Sequence, residues 1–219
     1  MPEAPHQCQL YLIVEPGEGA AERLAAAIGA AEIATVLIRG IEGRALEPAM
    51  AKPLVDQARR AGIATLVAHD GALDGALARA CGADGVHLGT TKDALAAYRN
   101  ARGALGERAI VGVDPGLSRH DAMALAQAGA DYVAFGAPAH LKDADKGRAR
   151  RDELIAWWGE IFQVPCVAFD VTTAAEAESL ARDRADFIAL TLAGGLPPAD
   201  AGILTGAVAA VIRAREPAQ

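Results

Sequence analysis

The stretch "CGADGVHLGT" at residues 81–90 decides the fold, because the chain writes the same phrase more than once. "GADYVAFG" follows at residues 129–136, and a looser copy, "RADFIALT", at residues 184–191. Each copy closes an amphipathic run and opens a short apolar one. The glycine supplies the left-handed residue that stops a helix. The alanine is small enough to pack against a sheet, and the aspartate can accept backbone N–H groups at the turn into a strand. Asp84, Asp131 and Asp186 therefore read as structural. "AGIATL" at residues 61–66 has the same grammar without the aspartate.

Working outward, apolar runs of about five residues alternate with longer amphipathic ones. The runs at 9–14, 33–38, 63–68, 85–88, 109–113, 132–135, 165–169 and 187–190 are nearly all apolar, as strands buried on both faces should be. Helices are expected at 18–28, 48–61, 72–80, 92–104, 119–128, 150–162, 174–182 and 199–213. Pro48 suits a first helical turn, Ser118 can cap the fifth helix, and Thr172 or Thr173 the seventh. Eight strands strictly alternating with eight helices predict a (β/α)8 TIM barrel, with an open doubly wound sheet as the alternative. With 219 residues and no linker-like break, the expectation is one domain over residues 1–219, its core about residues 9–213.

The chain carries 21 basic and 28 acidic residues, a formal net charge of -7. That balance excludes a broad nucleic-acid or anionic-membrane binder. Its three cysteines, Cys8, Cys81 and Cys166, form no C-x-x-C pair and read as buried apolar side chains in a reducing cytoplasm. The opening "MPEAPHQCQLYLIVEP" does not read as a secretory leader, and no apolar run reaches the roughly 18 residues of a membrane helix. Alanine-rich outer helices could support a homodimer.

In a barrel, chemistry gathers at the C-terminal ends of the strands. Those ends carry Glu15, Arg39, His69-Asp70, His87 with Thr90 to Asp93, Asp114, the loop containing His140 and Lys146, Asp170, and Thr191. Asp70, Asp93, Asp114 and Asp170 are hard oxygen donors of the kind Mg²⁺ takes. Gly194-Gly195 could turn backbone N–H groups toward a phosphate at a helix start. His87 is either a hydrogen-bonded support for the barrel top or a group that meets substrate. There is no Walker lysine loop, dinucleotide fingerprint, zinc spacing or nucleophile elbow.

The order of these strand ends resembles a known family. "LYLIVEP", "VLIR", "VAHD", "GADGVHLG", "IVGVD" and "AGADYVAFGAPAH" together are similar to the thiamine phosphate synthase and thiazole tautomerase superfamily, collinear over residues 10–192. The resemblance implies a (β/α)8 barrel that joins an aminopyrimidine methyl diphosphate to a thiazole phosphate. Pyrophosphate leaves, and the thiazole nitrogen captures the pyrimidine cation. It implies a small phosphorylated substrate, Mg²⁺, and site residues matched one at a time. Taken with the strand-end reading, this gives a catalytic set of Arg39, Lys146 and His87, a metal set of Asp70 and Asp93 (one residue late against the family's pattern), and a substrate-binding set of His69, Thr90, Asp114, His140 (three residues off the family's position), Thr191, Gly194 and Gly195, the last two from the barrel location alone. The chain departs from the family's pattern at Leu37 and Ile41 in place of a glutamine and a lysine, and at Gly71 in place of an arginine. It departs again at Thr90 in place of a glutamine, at Lys92 where the second metal aspartate stands, and at Asp170-Val171 where a phosphate-binding glycine pair stands. A carboxylate at Asp170 repels a phosphate there, and the Lys92 ammonium can carry part of a missing metal charge. Two other readings stay open: a barrel enzyme acting on another small phosphorylated ligand, and a non-catalytic ligand-binding homologue.

Overall fold

The computed structural model describes residues 8–40, 46–68, 75–137 and 143–192. Eight parallel strands close into a barrel in chain order, β1 (Gln9–Val14), β2 (Ile33–Arg39), β3 (Ala64–Ala68), β4 (Gly85–Leu88), β5 (Ile110–Val113), β6 (Tyr132–Phe135), β7 (Cys166–Ala168) and β8 (Phe187–Leu192), with β8 pairing back onto β1. The outer layer holds α1 (Ala20–Ala30), α2 (Pro48–Arg60), α3 (Ala76–Cys81), α4 (Ala94–Leu105), α5 (Arg119–Ala128), α6 (Ala144–Ile161) and α7 (Ala174–Arg182). The helix expected at residues 199–213 lies outside the described residues. None of the described helices is long and apolar enough to cross a membrane.

Near-continuous apolar strands are needed because each strand faces two cores. In β1, Leu10, Leu12 and Val14 pack toward the helices while Tyr11 and Ile13 fill the lumen. Leu37, Leu66, Tyr132, Val167 and Phe169 complete the lumen from other strands. The alternation follows from the two-residue period of a strand. It also sets the site, since Arg39 is two residues beyond lumen-facing Leu37 and Thr191 two beyond Ala189. Thr191 is exposed between buried Leu190 and Leu192, as a side chain at the barrel mouth should be.

At the opposite end the repeated phrase does what its residues dictate. Gly82 and Gly129 sit at φ of 71° and 93°, ending α3 and α5, and in the looser copy Arg184 takes φ of 68°. The residue after each returns its N–H to the helix, Ala83 to Ala78, Ala130 to Leu125 and Ala185 to Leu180. Each aspartate then ties two strands twice. Its N–H donates to a carbonyl of the preceding strand's first residues, and its carboxylate accepts that same residue's N–H: Asp84 with Thr65, Asp131 with Val111, Asp186 with Cys166. These clamps join β3 to β4, β5 to β6 and β7 to β8. All three cysteines are free thiols and buried.

The largest departure from expectation is α6, which starts at Ala144 rather than near residue 150. The Asp143 carboxylate accepts the Lys146 N–H and caps the helix six residues earlier. The extra turns bring Arg151 to the middle of the helix, where it is wholly buried.

Candidate active site

The floor of the barrel mouth is an aromatic hydrogen-bond chain. Tyr132 reaches across β5 because its neighbour there is Gly112, where any β-carbon would lie 1.8 Å from the Tyr132 ring. Its hydroxyl stands 3.0 Å from the Tyr11 hydroxyl and 3.0 Å from Nδ1 of His87, whose ring stacks on that of Tyr132 and leans on Phe169. Burial, with a smaller push from the Arg39 cation, lowers the His87 pKa to about 3, so the imidazole is neutral near pH 7. Burial pushes both phenols above their ordinary range. A neutral, stacked imidazole on a tyrosine supports the site floor and holds no proton to give at neutral pH.

Above the floor the rim divides by charge. On β1 and β2, the Arg39 guanidinium donates to Glu15 at 3.0 Å and keeps about a third of its side-chain surface exposed. On β4 and β5, Thr90 donates to Asp114 at 2.9 Å, and the Gly116 N–H donates to the other oxygen of the same carboxylate at 2.6 Å. Burial pushes the Asp114 pKa up to about 6; the nearby Asp170 carboxylate adds a smaller push, against the lowering by Gly116 and Thr90. Across from it, the Asp170 carboxylate accepts the Ala137 N–H at 2.9 Å.

Not every expected site residue joins this group. Asp93 caps α4, its carboxylate accepting the Ala96 N–H at 2.9 Å. Lys146 lies in the first turn of α6 with its ammonium 3.1 Å from Asp143, and its side chain is 85% exposed. Thr191 is exposed near the end of β8 and faces the mouth. His69, Asp70, His140, Gly194 and Gly195 lie outside the described residues. No group of three or more His, Cys, Asp or Glu side chains suited to a metal occurs among the described residues. With Asp93 engaged as a helix cap and Lys92 beside it, the described residues do not fit a Mg²⁺ ligand set.

Two residues beneath the rim escaped sequence reasoning. Arg151 donates to the carbonyls of Phe169 and Asp170 at 2.9 and 3.1 Å and pairs with Asp152 and Glu176. Glu176 in turn accepts from the N–H and hydroxyl of Thr172. The arginine sits in a basic run, "RARR", that looks solvated until α6 is known to begin at Ala144. Tyr132 was visible as a strand residue, but its reach depends on Gly112, a cross-strand neighbour distant in sequence.

Comparison with known proteins brings the fold and the rim together. A thiamine phosphate pyrophosphorylase from Pyrococcus furiosus superposes with a TM-score of 0.70 over 96% of this chain and 98% of its own, at 19% identity, which speaks to the barrel alone. The thiamine-phosphate synthase of Rhodospirillum centenum is 38% identical over 192 residues, covering 84% of this chain and 87% of the relative. That of Hyphomonas neptunium is 33% identical over 192 residues, covering 84% of each. The sequence model of the thiamine monophosphate synthase family matches residues 10–193. With that span and those relatives, the chain belongs to the thiamine monophosphate synthase family.

Proposed function

We propose that the chain is a thiamine-phosphate synthase, a transferase of thiamine biosynthesis that couples an aminopyrimidine methyl diphosphate to a thiazole phosphate. The observation that carries this reading is similarity at 38% identity, over 84% of this chain and 87% of the relative, to a protein named for that activity. In the step itself, the C–O bond from the pyrimidine methylene to the diphosphate breaks. The electron pair leaves with pyrophosphate, and the thiazole nitrogen forms the new C–N bond. Little covalent work falls to the protein, so most of its contribution is electrostatic.

Arg39 is the residue we assign to the departing diphosphate. Its guanidinium is at the mouth, is always charged and offers a planar fork for phosphate oxygens. Glu15 holds it in place in the free protein and gives way to the stronger anion. Lys92 and Lys146 are further cations that a bound diphosphate could draw in. Stacked His87 and Tyr132 keep the floor flat and dry beneath the pyrimidine. Thr90 and Asp114 present a hydroxyl and a carboxylate that suit an exocyclic amine and ring nitrogen. When bound, Mg²⁺ would supply charge neutralisation at the diphosphate, though the described residues do not fit its ligand set. Three buried thiols are consistent with a cytoplasmic location.

The test is growth rescue. A bacterium lacking its own synthase should grow on thiamine-free medium when it expresses this chain. Well-expressed protein with no growth would remove the synthase reading in favour of a different phosphorylated ligand.

A further inference from the structure

We infer that Asp170 is a specificity-determining residue: it places the protein's own carboxylate at the turn between β7 and α7, so that this turn does not take the substrate's phosphate. The inference rests on the synthase reading and names where on the rim that substrate is not held. In (β/α)8 barrels, the loops after strands 7 and 8 are the usual phosphate site, because backbone N–H groups and a helix N-terminus converge there. Here, after strand 7, the Thr172 N–H already has an anion of its own in Glu176.

The Asp170 carboxylate crosses from the end of β7 to the end of β6 and accepts the Ala137 N–H at 2.9 Å. The same oxygen would lie 2.7 Å from a β-carbon at residue 136, so the close approach depends on Gly136. On the α7 side, the Thr172 N–H and hydroxyl donate to Glu176, and the Glu176 N–H donates to Thr173. Arg151 fixes the turn from below through the carbonyls of Phe169 and Asp170. The arrangement is held against a backbone preference, since Asp170 sits at φ of 58°. That conformation costs little for glycine and more for a residue with a β-carbon, and an outlier at a strand end in a barrel mouth points to a role. A phosphate entering this turn meets the Asp170 carboxylate and finds the Ala137 donor already taken.

Two variants separate the contributions. D170G removes charge and carboxylate and suits φ of 58°; D170N removes charge but retains an acceptor for Ala137. Inorganic phosphate binding, followed by calorimetry, should tighten about tenfold in D170G and by a smaller factor in D170N. In turnover, KM for the thiazole phosphate should fall by a similar factor in D170G, while KM for the pyrimidine diphosphate moves less than about twofold. Phosphate affinity within about twofold of wild type in both variants would overturn the inference. The absence of pyrophosphate release by wild type with both substrates present would remove the synthase reading instead, and the phosphate measurement would still decide Asp170.

Discussion

Among the described residues, three aspartates at one end of this barrel behave differently from three at the other. At the bottom, Asp84, Asp131 and Asp186 repeat one geometry, each tying two neighbouring strands through its N–H and its carboxylate. At the top, Asp93 caps a helix, Asp114 holds a threonine and a turn, and Asp170 spans from one strand end to the next. The bottom repeats because each clamp solves the same problem, ending a helix and starting a strand. The top does not: its three carboxylates hold three different sets of partners. The same residue type therefore repeats one task at one end and takes separate ones at the other, where barrels gather their chemistry.

The sharpest challenge to this division is Arg151, a scaffold residue at the chemical end. Arg151→Met should destabilise by about 3–5 kcal/mol, since it strands the Glu176 carboxylate and two carbonyls, as removal of one buried ion-pair partner does. Denaturant midpoints at constant m-value would measure it. A loss below about 1 kcal/mol would mean that the rim is not built on this residue.

A smaller effect should separate the two ends directly. Asp131→Ala leaves the Val111 N–H without its acceptor and releases Arg102, and should cost about 2 kcal/mol. Asp114→Asn should cost far less near pH 7, because the carboxyl it removes is one that burial already disfavours as an anion.

Buried His87 and half-buried Asp114, the two shifted groups of the mouth, should oppose each other in acid. His87 is held at about 3 against an unfolded value of 6.5, so below pH 6.5 the unfolded chain binds the extra proton and stability falls as pH drops, by up to about 1.4 kcal/mol per pH unit. Asp114 is held at about 6 against 3.8, so between those values the folded chain binds the extra proton and stability rises as pH drops. Thermal midpoints from pH 6 to 4 should therefore fall more steeply in Asp114→Asn than in wild type, and less steeply in His87→Asn. Parallel curves for all three would contradict these environments. A modest effect is also expected for Asp93→Ala, about 1 kcal/mol in the denaturant midpoint as a lost helix cap.

How much of this was legible in the sequence follows from the range of the forces involved. The barrel and its bottom clamps were legible, because helix stops and strand alternation are local and the phrase at residues 81–90 recurs. Arg184 shows that the looser copy keeps the backbone form without its glycine. The rim was legible as a set of strand-end residues, since strand period alone aims Arg39 and Thr191 at the mouth. What escaped depends on contacts distant in sequence: Tyr132 lying over Gly112, Arg151 reaching the β7 end, and Asp170 bound to Ala137. The start of α6 was missed because Asp143 lies in a run of mixed charge that reads as a solvated loop. His87 read more readily as support than as chemistry, and its burial against Tyr132 and Phe169 favours support.

One experiment tests the division most directly: pyrophosphate release with both substrates, measured beside unfolding midpoints, for wild type, Asp131→Ala and Arg39→Ala. Wild type should turn over. Asp131→Ala should keep kcat/KM within about twofold while its midpoint falls, and Arg39→Ala should keep its midpoint while losing on the order of a hundredfold in kcat/KM. No release by wild type, or stability and turnover falling together in both variants, would contradict the separation of scaffold from site.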